Sequence, residues 1–332
     1  MNIALFEVQD WEREGLSKAF PQAKIFEETL NEKNIHEVAD AELISGFIAT
    51  RVGKKELSQL PHLKYVITRS TGYDHIDIAA CRDRDVNVCN VPSYGTHTVA
   101  EHTFALILTL TRRMHNSINH ARALNFNHSE ICGVDLHGKT IGIVGYGKIG
   151  EAVARIAQGF GMKIIAFSRH TPDNADANIN FTSDLKELCR NSDVVSLHLP
   201  YNKHTHHIIN REMIESMKKG SYLINTARGG LIDTEAILWG IDQNILAGVG
   251  LDVFEQEEIL TEEVNILSRA YQQDSNIKTV LLDHILLEHP KVIVTPHNAF
   301  NSREALDNIL TTTIKNIQSC VLAAPVNTVK VD

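Results

Sequence analysis

The feature that most constrains this chain is a strand that runs into a glycine-rich turn and then a helix. The apolar run Thr140–Val144 leads into the sequence Gly145-Tyr-Gly147-Lys-Ile-Gly150 and a helical stretch beyond it. In such a turn the first glycine permits the tight bend, the second lets the backbone approach a pyrophosphate, and the third allows close helix–sheet packing. The helix start then offers free N–H groups to the phosphates. The sequence therefore predicts a dinucleotide site, with a purely structural glycine turn as the alternative.

Short apolar runs alternate with helical patterns along the rest of the chain. Near-continuous apolar strands are typical of parallel sheets buried on both faces, and this alternation predicts a doubly wound α/β architecture. The predicted strands are Asn2–Val8, Ile44–Ala49, Tyr65–Thr68, Val86–Val91, Thr140–Val144, Lys163–Phe167, Asp193–Leu197, Tyr222–Asn225, Ala247–Leu251 and Val292–Val294. The predicted helices include Trp11–Phe20, His75–Arg84, a long connector from His97 to Ala121, and Ser302–Leu322.

The long connector helix predicts how the domains are divided, because it follows a turn cluster at Pro92–Gly95. We expect residues 1–98 to form one domain with a C-terminal return of residues 300–332. Residues 99–299 would then form a second domain inserted into the first.

Composition argues against several classes of protein. Of the 332 residues, Lys plus Arg total 32 and Asp plus Glu total 41, a net charge of −9 with no basic block, so nucleic acid is not an expected partner. No apolar stretch approaches the roughly 18 residues that span a bilayer, so we expect no membrane association. The N-terminus lacks a basic region and its first charged side chain is Glu7, which argues against a secretory signal.

Cysteine and histidine usage predicts a reducing location and no metal site. The five cysteines are an odd number and none forms a CxxC pair, so we expect a cytoplasmic protein. His204, His206 and His207 lie close together, but no second ligand motif accompanies them, so no metal is expected.

Seven motifs follow one another along almost the whole chain. They are RSTGYDHID at 69–77, NVPSYGTHTVAEH at 90–102, VGYGKIG at 144–150, SLHLP at 196–200, INTARGG at 224–230, GLDVFEQE at 250–257 and TPHNAF at 295–300. With these motifs the chain resembles the D-isomer-specific 2-hydroxyacid dehydrogenases, most closely the D-lactate dehydrogenase branch. The resemblance implies two doubly wound parallel-sheet domains, a Rossmann-type NAD(P)-binding domain inserted into a flavodoxin-like substrate-binding domain.

The resemblance implies a catalytic triad of Arg228, Glu257 and His297. The arginine fork suits the carboxylate and the neighbouring carbonyl of a 2-oxo acid. Reduction of the ketone needs a proton donor near neutral pH, which histidine provides, and a carboxylate beside it favours the imidazolium. Taken singly, each residue has a plainer interpretation: a surface arginine, one glutamate of an acidic stretch, and a structural histidine.

The resemblance also implies residues that bind the substrate and the cofactor. The N–H groups of Thr71 and Gly72 would hold the substrate carboxylate, and Tyr94 would add a hydroxyl unless it is a packed turn residue. Asp252 would accept from the nicotinamide carboxamide unless it is a helix or turn cap. The other implied cofactor contacts are Lys148, Ile149, Leu199, Pro200, Thr205, Thr226 and Ala227.

The residue expected to select between NAD and NADP departs from the NAD-using pattern. That pattern has an acidic residue about 20 residues beyond the glycines, bound to the ribose hydroxyls. Here Ser168 stands at that position, followed by Arg169, which can pair with a 2′-phosphate. The sequence thus predicts that NADP(H) is used at least as well as NAD(H). In the alternative interpretation Arg169 stacks on the adenine or points to solvent, and NAD remains usable.

The leading hypothesis is an oxidoreductase that interconverts a D-2-hydroxy acid and its 2-oxo acid, with D-lactate and pyruvate as the favoured pair. The alternatives are an NADPH-preferring glyoxylate or hydroxypyruvate reductase and, from another class, a nucleotide-sensing corepressor-like binding protein. The connector helix Val99–Met114 is apolar on more than one face, which predicts a homodimer.

Overall fold

The structure is a computed structural model that describes residues 1–168, 176–255 and 274–329, with 274–280 described as backbone alone. The chain divides into two compact units. The first comprises Met1–Gly95 and Asn301–Asp332, and the second comprises Thr96–Phe300.

The first unit is built around a five-stranded sheet in which every neighbouring pair is parallel. Its strand order, β2-β1-β3-β4-β5, is the flavodoxin-like order and confirms the fold predicted for the substrate domain. The strands are β1 (Ile3–Leu5), β2 (Lys24–Ile25), β3 (Leu43–Gly46), β4 (Tyr65–Thr68) and β5 (Asn87–Cys89). The helices described in this unit are Asp10–Ala19, Lys54–Gln59, Ile78–Arg82 and Arg303–Val321.

Alternate residues of these strands supply two hydrophobic cores, one on each face of the sheet. Leu43 and Ile67 belong to one core, and their neighbours Ile44 and Val66 belong to the other. Successive side chains of a strand point to opposite faces, so a strand buried on both faces has to be apolar throughout.

The second unit carries a seven-stranded parallel sheet in the order β12-β11-β10-β9-β6-β7-β8. The order reverses between β9 and β6, as it does in a Rossmann fold, and confirms the predicted nucleotide-binding architecture. The strands are β6 (Thr140–Val144), β7 (Lys163–Phe167), β8 (Ile179–Thr182), β9 (Val194–Leu197), β10 (Ser221–Asn225), β11 (Leu246–Leu251) and β12 (Val292–Val294). The helices described here are Thr96–Thr111, Met114–Arg122, Lys148–Gly159, Leu185–Asn191, Arg211–Ser216, Thr234–Asp242 and Asp274–Glu288.

The prediction of one continuous helix from His97 to Ala121 is wrong. The helix is interrupted at Arg113, which has a left-handed φ of 49°. In a continuing helix the Thr111 carbonyl would accept from the N–H four residues on. It accepts instead from the N–H of Val134 at 2.8 Å. Gly133 approaches so closely that a Cβ there would lie 2.4 Å from the same carbonyl oxygen. The returning segment therefore ends the first helix.

The helices and the cysteines bear on the predicted location of the protein. Within the described ranges, no helix is long and apolar enough to cross a membrane. Cys81, Cys89, Cys189 and Cys320 are buried free thiols, and Cys132 is an exposed one. The cytoplasmic location stays a prediction.

Candidate active site

The candidate site residues of the second unit lie at or just beyond the carboxyl ends of its parallel strands. Gly145 follows β6, Leu199 follows β9, Thr226 follows β10, Asp252 follows β11 and His297 follows β12. Because these strands are parallel, the residues share one edge of the sheet, which is where open α/β sheets bind ligands. The prediction that the histidine lies just past a strand is confirmed.

Two of the three glycines of the turn are required by close contacts within the protein, and the third stands in open space. A Cβ on Gly145, which has a φ of 103°, would lie 2.7 Å from the carbonyl oxygen of His198. A Cβ on Gly150 would lie 2.2 Å from the carbonyl oxygen of Gly145. A Cβ on Gly147 would meet nothing within 4 Å. This residue directly precedes the helix Lys148–Gly159. The open space at Gly147 fits the close approach of a pyrophosphate to the helix start.

Three further cofactor candidates, Lys148, Ile149 and Thr205, differ in their surroundings. Ile149 packs against the core of the unit, whereas Lys148 is exposed. The hydroxyl of Thr205 accepts from the Asn202 N–H at 2.8 Å and donates to the Pro200 carbonyl at 2.8 Å. These bonds close the loop that follows β9, so Thr205 shapes this loop.

The position that would select between NAD and NADP lies at the end of β7. Ser168 is half-buried, and its N–H donates to the carbonyl of Thr182 in β8 at 3.3 Å. Arg169 lies outside the described residues.

The loop after β10 holds Arg228 by bonds from one asparagine. The side-chain amide of Asn225 donates to the Arg228 carbonyl at 2.8 Å, and its amide oxygen accepts from the Ala227 N–H at 3.0 Å. The guanidinium of Arg228 donates to the Ala227 carbonyl at 2.8 Å. Thr226 contacts Thr103 through their hydroxyl oxygens at 2.9 Å. The predicted position of Arg228, just past a strand, is confirmed.

The loop after β12 carries His297 in a left-handed conformation with a φ of 49°. Its N–H lies 2.9 Å from the Asp252 carbonyl oxygen and 3.0 Å from that of Thr295. The Asp252 carboxylate accepts from the N–H groups of Asn298 and Ala299, both at 2.8 Å, and from the Thr295 hydroxyl. Asp252 therefore holds the turn that presents His297, which is the turn-cap role given above as the alternative interpretation of this residue.

The Asp252 carboxylate is 1% exposed, yet its hydrogen bonds favour the charged form. Burial alone would raise the pKa of Asp252, but hydrogen bonds from His102, Thr295, Ala299 and Asn298 together hold it below its usual value. The site thus contains a fixed negative charge directly beneath the histidine turn.

The predicted substrate cradle in the first unit follows β4. The Thr71 hydroxyl donates to the Val91 carbonyl at 2.9 Å, and the Asn90 side chain donates to the Thr71 carbonyl at 2.8 Å. The carbonyl of Gly72 accepts from a neighbouring serine hydroxyl at 2.6 Å. These bonds use side chains and carbonyl oxygens, so they fix the turn without using its N–H groups. Tyr94, beyond β5, is half-buried.

A buried ion pair supports this cradle and was not predicted. Arg69, two residues before Thr71, has Nε 3.0 Å from Glu12 Oε2, and the two side chains are 0% and 1% exposed. Its Nη2 donates to the carbonyls of Phe6 and Glu7 at 2.7 and 2.9 Å. The Glu7 carboxylate in turn accepts from three N–H groups of the loop after β3, those of Phe47, Ala49 and Thr50. Arg69 belongs to the motif at residues 69–77, but its partner Glu12 lies in no motif and is brought to it by tertiary packing.

The third predicted catalytic residue, Glu257, lies outside the described residues. Glu255, two positions earlier, binds His207 Nε2 at 2.7 Å and the Thr234 hydroxyl at 3.2 Å. Among the described residues no group of His, Cys, Asp and Glu is arranged to hold a metal ion.

Comparison with known proteins decides the family. Residues 104–299 match the family described as "D-isomer specific 2-hydroxyacid dehydrogenase, NAD binding domain". The chain belongs to this family. This dehydrogenase is similar to the D-lactate dehydrogenase of Aquifex aeolicus, whose crystal structure is complexed with NAD and lactic acid. The two sequences are 37% identical, and the two structures match with a TM-score of 0.88 over 97% of this chain and 96% of that one.

Two curated relatives carry different names. The D-lactate dehydrogenase of Escherichia coli is 31% identical over 96% of both chains. The glyoxylate reductase of Thermococcus litoralis is 37% identical over 69% of this chain and 72% of its own length. The region matched to the NAD binding domain includes every described strand of the second sheet.

Proposed function

We propose that this dehydrogenase interconverts pyruvate and D-lactate. The observation that carries the proposal is the arrangement of Arg228 and His297 beyond β10 and β12, the two neighbours of β11 in the sheet. An always-charged fork and a proton donor on one edge are what the reduction of a 2-oxo acid requires.

In this proposal Arg228 binds the carboxylate of the 2-oxo acid and polarises its carbonyl. A bound reduced nicotinamide would supply the hydride that the carbonyl carbon accepts. His297, as imidazolium, gives its proton to the carbonyl oxygen, and the ketone becomes a hydroxyl. Glu257 favours the charged imidazole and fixes its orientation. In the reverse direction His297 accepts the proton from the hydroxy acid.

On the substrate side, the N–H groups of Thr71 and Gly72 hold the carboxylate and the Tyr94 hydroxyl adds a hydrogen bond. The fixed backbone of that turn supports this role, because a preorganised donor pair binds an anion without reordering. The first unit is therefore proposed as the substrate domain and the second as the cofactor domain.

We also propose that NADPH is accepted at least as well as NADH, because Ser168 leaves no acidic group at the position that would repel a 2′-phosphate. The turn at Gly147 and the first turn of the following helix would hold the pyrophosphate. Leu199, Pro200, Thr205, Thr226, Ala227 and Asp252 would line the rest of the cofactor site.

A second candidate is a glyoxylate or hydroxypyruvate reductase, favoured by the 37% identity to a glyoxylate reductase. The test is kcat/KM for a panel of 2-oxo acids with NADH and NADPH. Pyruvate should be the best substrate. A preference for glyoxylate or hydroxypyruvate would replace the first proposal by the second, and no turnover at all would favour a nucleotide-sensing binding protein.

We propose a homodimer, though on different residues from those first considered. Phe104, Leu106 and Ile107 of the connector helix are buried within the second unit, so this unit alone accounts for much of the helix's apolar surface. The helix Met114–Arg122, in contrast, has no buried residue.

Large apolar side chains are exposed along the chain from this second helix onward. They are Met114, Ile118, Leu124, Phe126 and Val134. A surface of this kind favours association with a second copy of the chain. Light scattering at micromolar concentration should give a dimer mass, and Phe126→Asp should shift it towards monomer. Leu322→Asp, at an exposed leucine of the first unit, is the matched control. A monomer mass for the wild type would contradict the proposal.

A further inference from the structure

Two consecutive side chains of the helix Thr96–Thr111 contact two different catalytic loops. His102 Nε2 lies 3.0 Å from the Thr295 hydroxyl oxygen and 3.4 Å from Asp252 Oδ1. Thr103 contacts Thr226 at 2.9 Å. Thr295 lies two residues before the proposed proton donor, and Thr226 lies two residues before the proposed carboxylate-binding arginine. One helix turn therefore reaches both loops.

The direction of the His102 contact follows from the chemistry of its partners. The Asp252 carboxylate can only accept, and the single hydroxyl proton of Thr295 is donated to Asp252. The Nε2 atom of His102 must therefore carry the hydrogen and donate it, and this assignment rests on the hydrogen-bond network. His102 thus donates to the buried Asp252 carboxylate, whose other donors are backbone N–H groups and the Thr295 hydroxyl.

The Thr103 contact is directed in the opposite sense. The Thr103 hydroxyl donates to the carbonyl of Val99 at 2.8 Å, which uses its one proton. The Thr226 hydroxyl is then the donor to Thr103. Both threonines are buried, so neither can exchange this partner for water without cost.

The His297 turn needs such support because a left-handed conformation is disfavoured for a residue with a side chain. Such a conformation persists where the surroundings impose it. Here the carbonyl and carboxylate of Asp252 bind three successive N–H groups, those of His297, Asn298 and Ala299. His102 and Thr295 in turn hold the carboxylate in the orientation that these bonds require.

We propose that His102 and Thr103 are positioning residues, His102 for the loop of His297 and Thr103 for the loop of Arg228. The inference rests on the proposed roles of those two catalytic residues. His102 acts on the rate of the chemical step by fixing where the proton donor stands. Thr103 acts on the productive binding of the 2-oxo acid by fixing the base of the arginine loop.

The test of His102 compares three substitutions. His102→Leu removes the donor and should lower kcat about tenfold, because small displacements of catalytic groups carry costs of this order. The KM for pyruvate and the Kd for the reduced cofactor should change less than about threefold if the bound substrate and cofactor stay in place. His102→Gln places an amide N–H near the former Nε2 and should restore kcat to within about threefold of wild type. His102→Asn, one carbon shorter, should fail as His102→Leu does, and it replaces the leucine variant if that does not fold.

A purely structural role predicts a different pattern. It would lower Tm and the fraction of active enzyme, but kcat per site, counted by titration with reduced cofactor, would stay unchanged. A deuterated reduced cofactor shows whether hydride transfer limits kcat, and its isotope effect should rise in His102→Leu. His62→Leu, at an exposed histidine of the first unit, is the matched control.

The test of Thr103 uses Thr103→Val and Thr103→Ser. The valine keeps the shape without the hydroxyl and should lower kcat/KM for pyruvate about tenfold, whereas the serine keeps the acceptor and should restore most of it. If His297→Gln and Arg228→Lys abolish turnover while His102→Leu and Thr103→Val stay within twofold of wild type, the positioning roles are wrong and the proposed function stands. A loss in His102→Leu that His102→Gln fails to restore also contradicts the proposal. If His297→Gln itself keeps more than half of the rate, the proposed function is wrong.

Discussion

Both sheets carry their candidate loops at the carboxyl edge, but the two edges are stabilised by different interactions. At the first edge a permanent cation, Arg69, is buried against Glu12 just before the predicted substrate cradle. At the second edge a buried carboxylate, Asp252, is surrounded by hydrogen-bond donors from His102, Thr295 and the backbone.

The difference matches the work proposed for each edge. The first edge has to present a fixed backbone turn to an anion, and a buried ion pair can do so because nothing there changes charge. The second edge carries a histidine that has to gain and lose a proton. The turn that presents this histidine is held by the Asp252 carboxylate, which binds the N–H groups of Asn298 and Ala299 and so fixes where the histidine stands. Substitution of the histidine at the second edge should therefore affect rate, and substitution within the Arg69 ion pair at the first should affect stability.

The largest effect is expected at His297. Replacement by Gln removes the proton donor and should lower the rate of pyruvate reduction by about 10²–10⁴. Cofactor affinity and Tm should stay close to wild type, because the turn is held by backbone bonds to Asp252. Stopped-flow measurement of cofactor oxidation, with chemistry rate-limiting, gives the rate. More than about half of the wild-type rate in the variant would show that this histidine is not the proton donor.

The next largest effect is expected at Arg69, on stability. Arg69→Met leaves Glu12 buried without its partner and should lower the free energy of unfolding by about 3–5 kcal/mol. Adding Glu12→Leu should recover much of this loss, because the uncompensated charge is gone. Arg13→Met is the matched control, since Arg13 pairs with Glu27 on the surface, where a pair contributes about 0–1 kcal/mol. Urea unfolding measures all three, and equal losses in Arg69→Met and Arg13→Met would contradict the comparison.

The sequence predicted the inner strands well because burial on both faces leaves a strong apolar pattern. Tyr65–Thr68, Thr140–Val144 and Lys163–Phe167 match the structure at both ends. Val292–Val294 also matches, although it is the outermost strand of its sheet. Two other outermost strands, β2 and β8, were missed, because the exposed polar residues Lys24 and Asn180 interrupt their apolar pattern.

For the candidate site, motifs predicted which residues stand beyond the strands but not what holds them there. The bond from Asn225 to Arg228 is local, and a turn-forming asparagine so close to the arginine is a signal that a sequence can show. The contact of His102 with Thr295 joins residues 193 positions apart, and the pair of Arg69 with Glu12 joins a motif residue to a residue outside every motif. Such partners depend on tertiary packing, for which a single sequence carries no periodic signal.

A smaller effect separates two glycines of the second edge. Gly150→Ala should destabilise the second unit by about 1–3 kcal/mol, because its Cβ would meet the Gly145 carbonyl and backbone has to move. Gly147→Ala meets nothing and has an ordinary φ of −91°, so Tm should stay unchanged. The cofactor Kd should nevertheless rise about tenfold, because the methyl group occupies the space through which the pyrophosphate approaches the backbone. Unchanged cofactor binding in Gly147→Ala, measured by fluorescence titration, would exclude this turn from the cofactor site.

The smallest effect expected at the second edge concerns cofactor choice at Ser168. An Asp there would place a negative charge beside the 2′-phosphate of NADPH. At about 4 Å and an effective dielectric of about 20, a unit charge pair is worth roughly 4 kcal/mol before desolvation and screening, so a fraction of that changes the preference several-fold. We therefore expect Ser168→Asp to lower kcat/KM for NADPH several-fold and to leave or improve that for NADH. Ser168→Asn, similar in size and neutral, is the control and should keep NADPH use.

Salt provides an independent check on the same position. If attraction of the 2′-phosphate contributes to the preference of the wild type, that preference should weaken as ionic strength rises from about 0.01 to 0.15 M, where the Debye length falls from about 30 to 8 Å. In Ser168→Asp the discrimination against NADPH should weaken with salt as well, because it too is electrostatic. A wild type that prefers NADH by tenfold or more would contradict the prediction. So would a Ser168→Asp variant with unchanged NADPH use, since a charge that acts on neither cofactor cannot lie near the ribose.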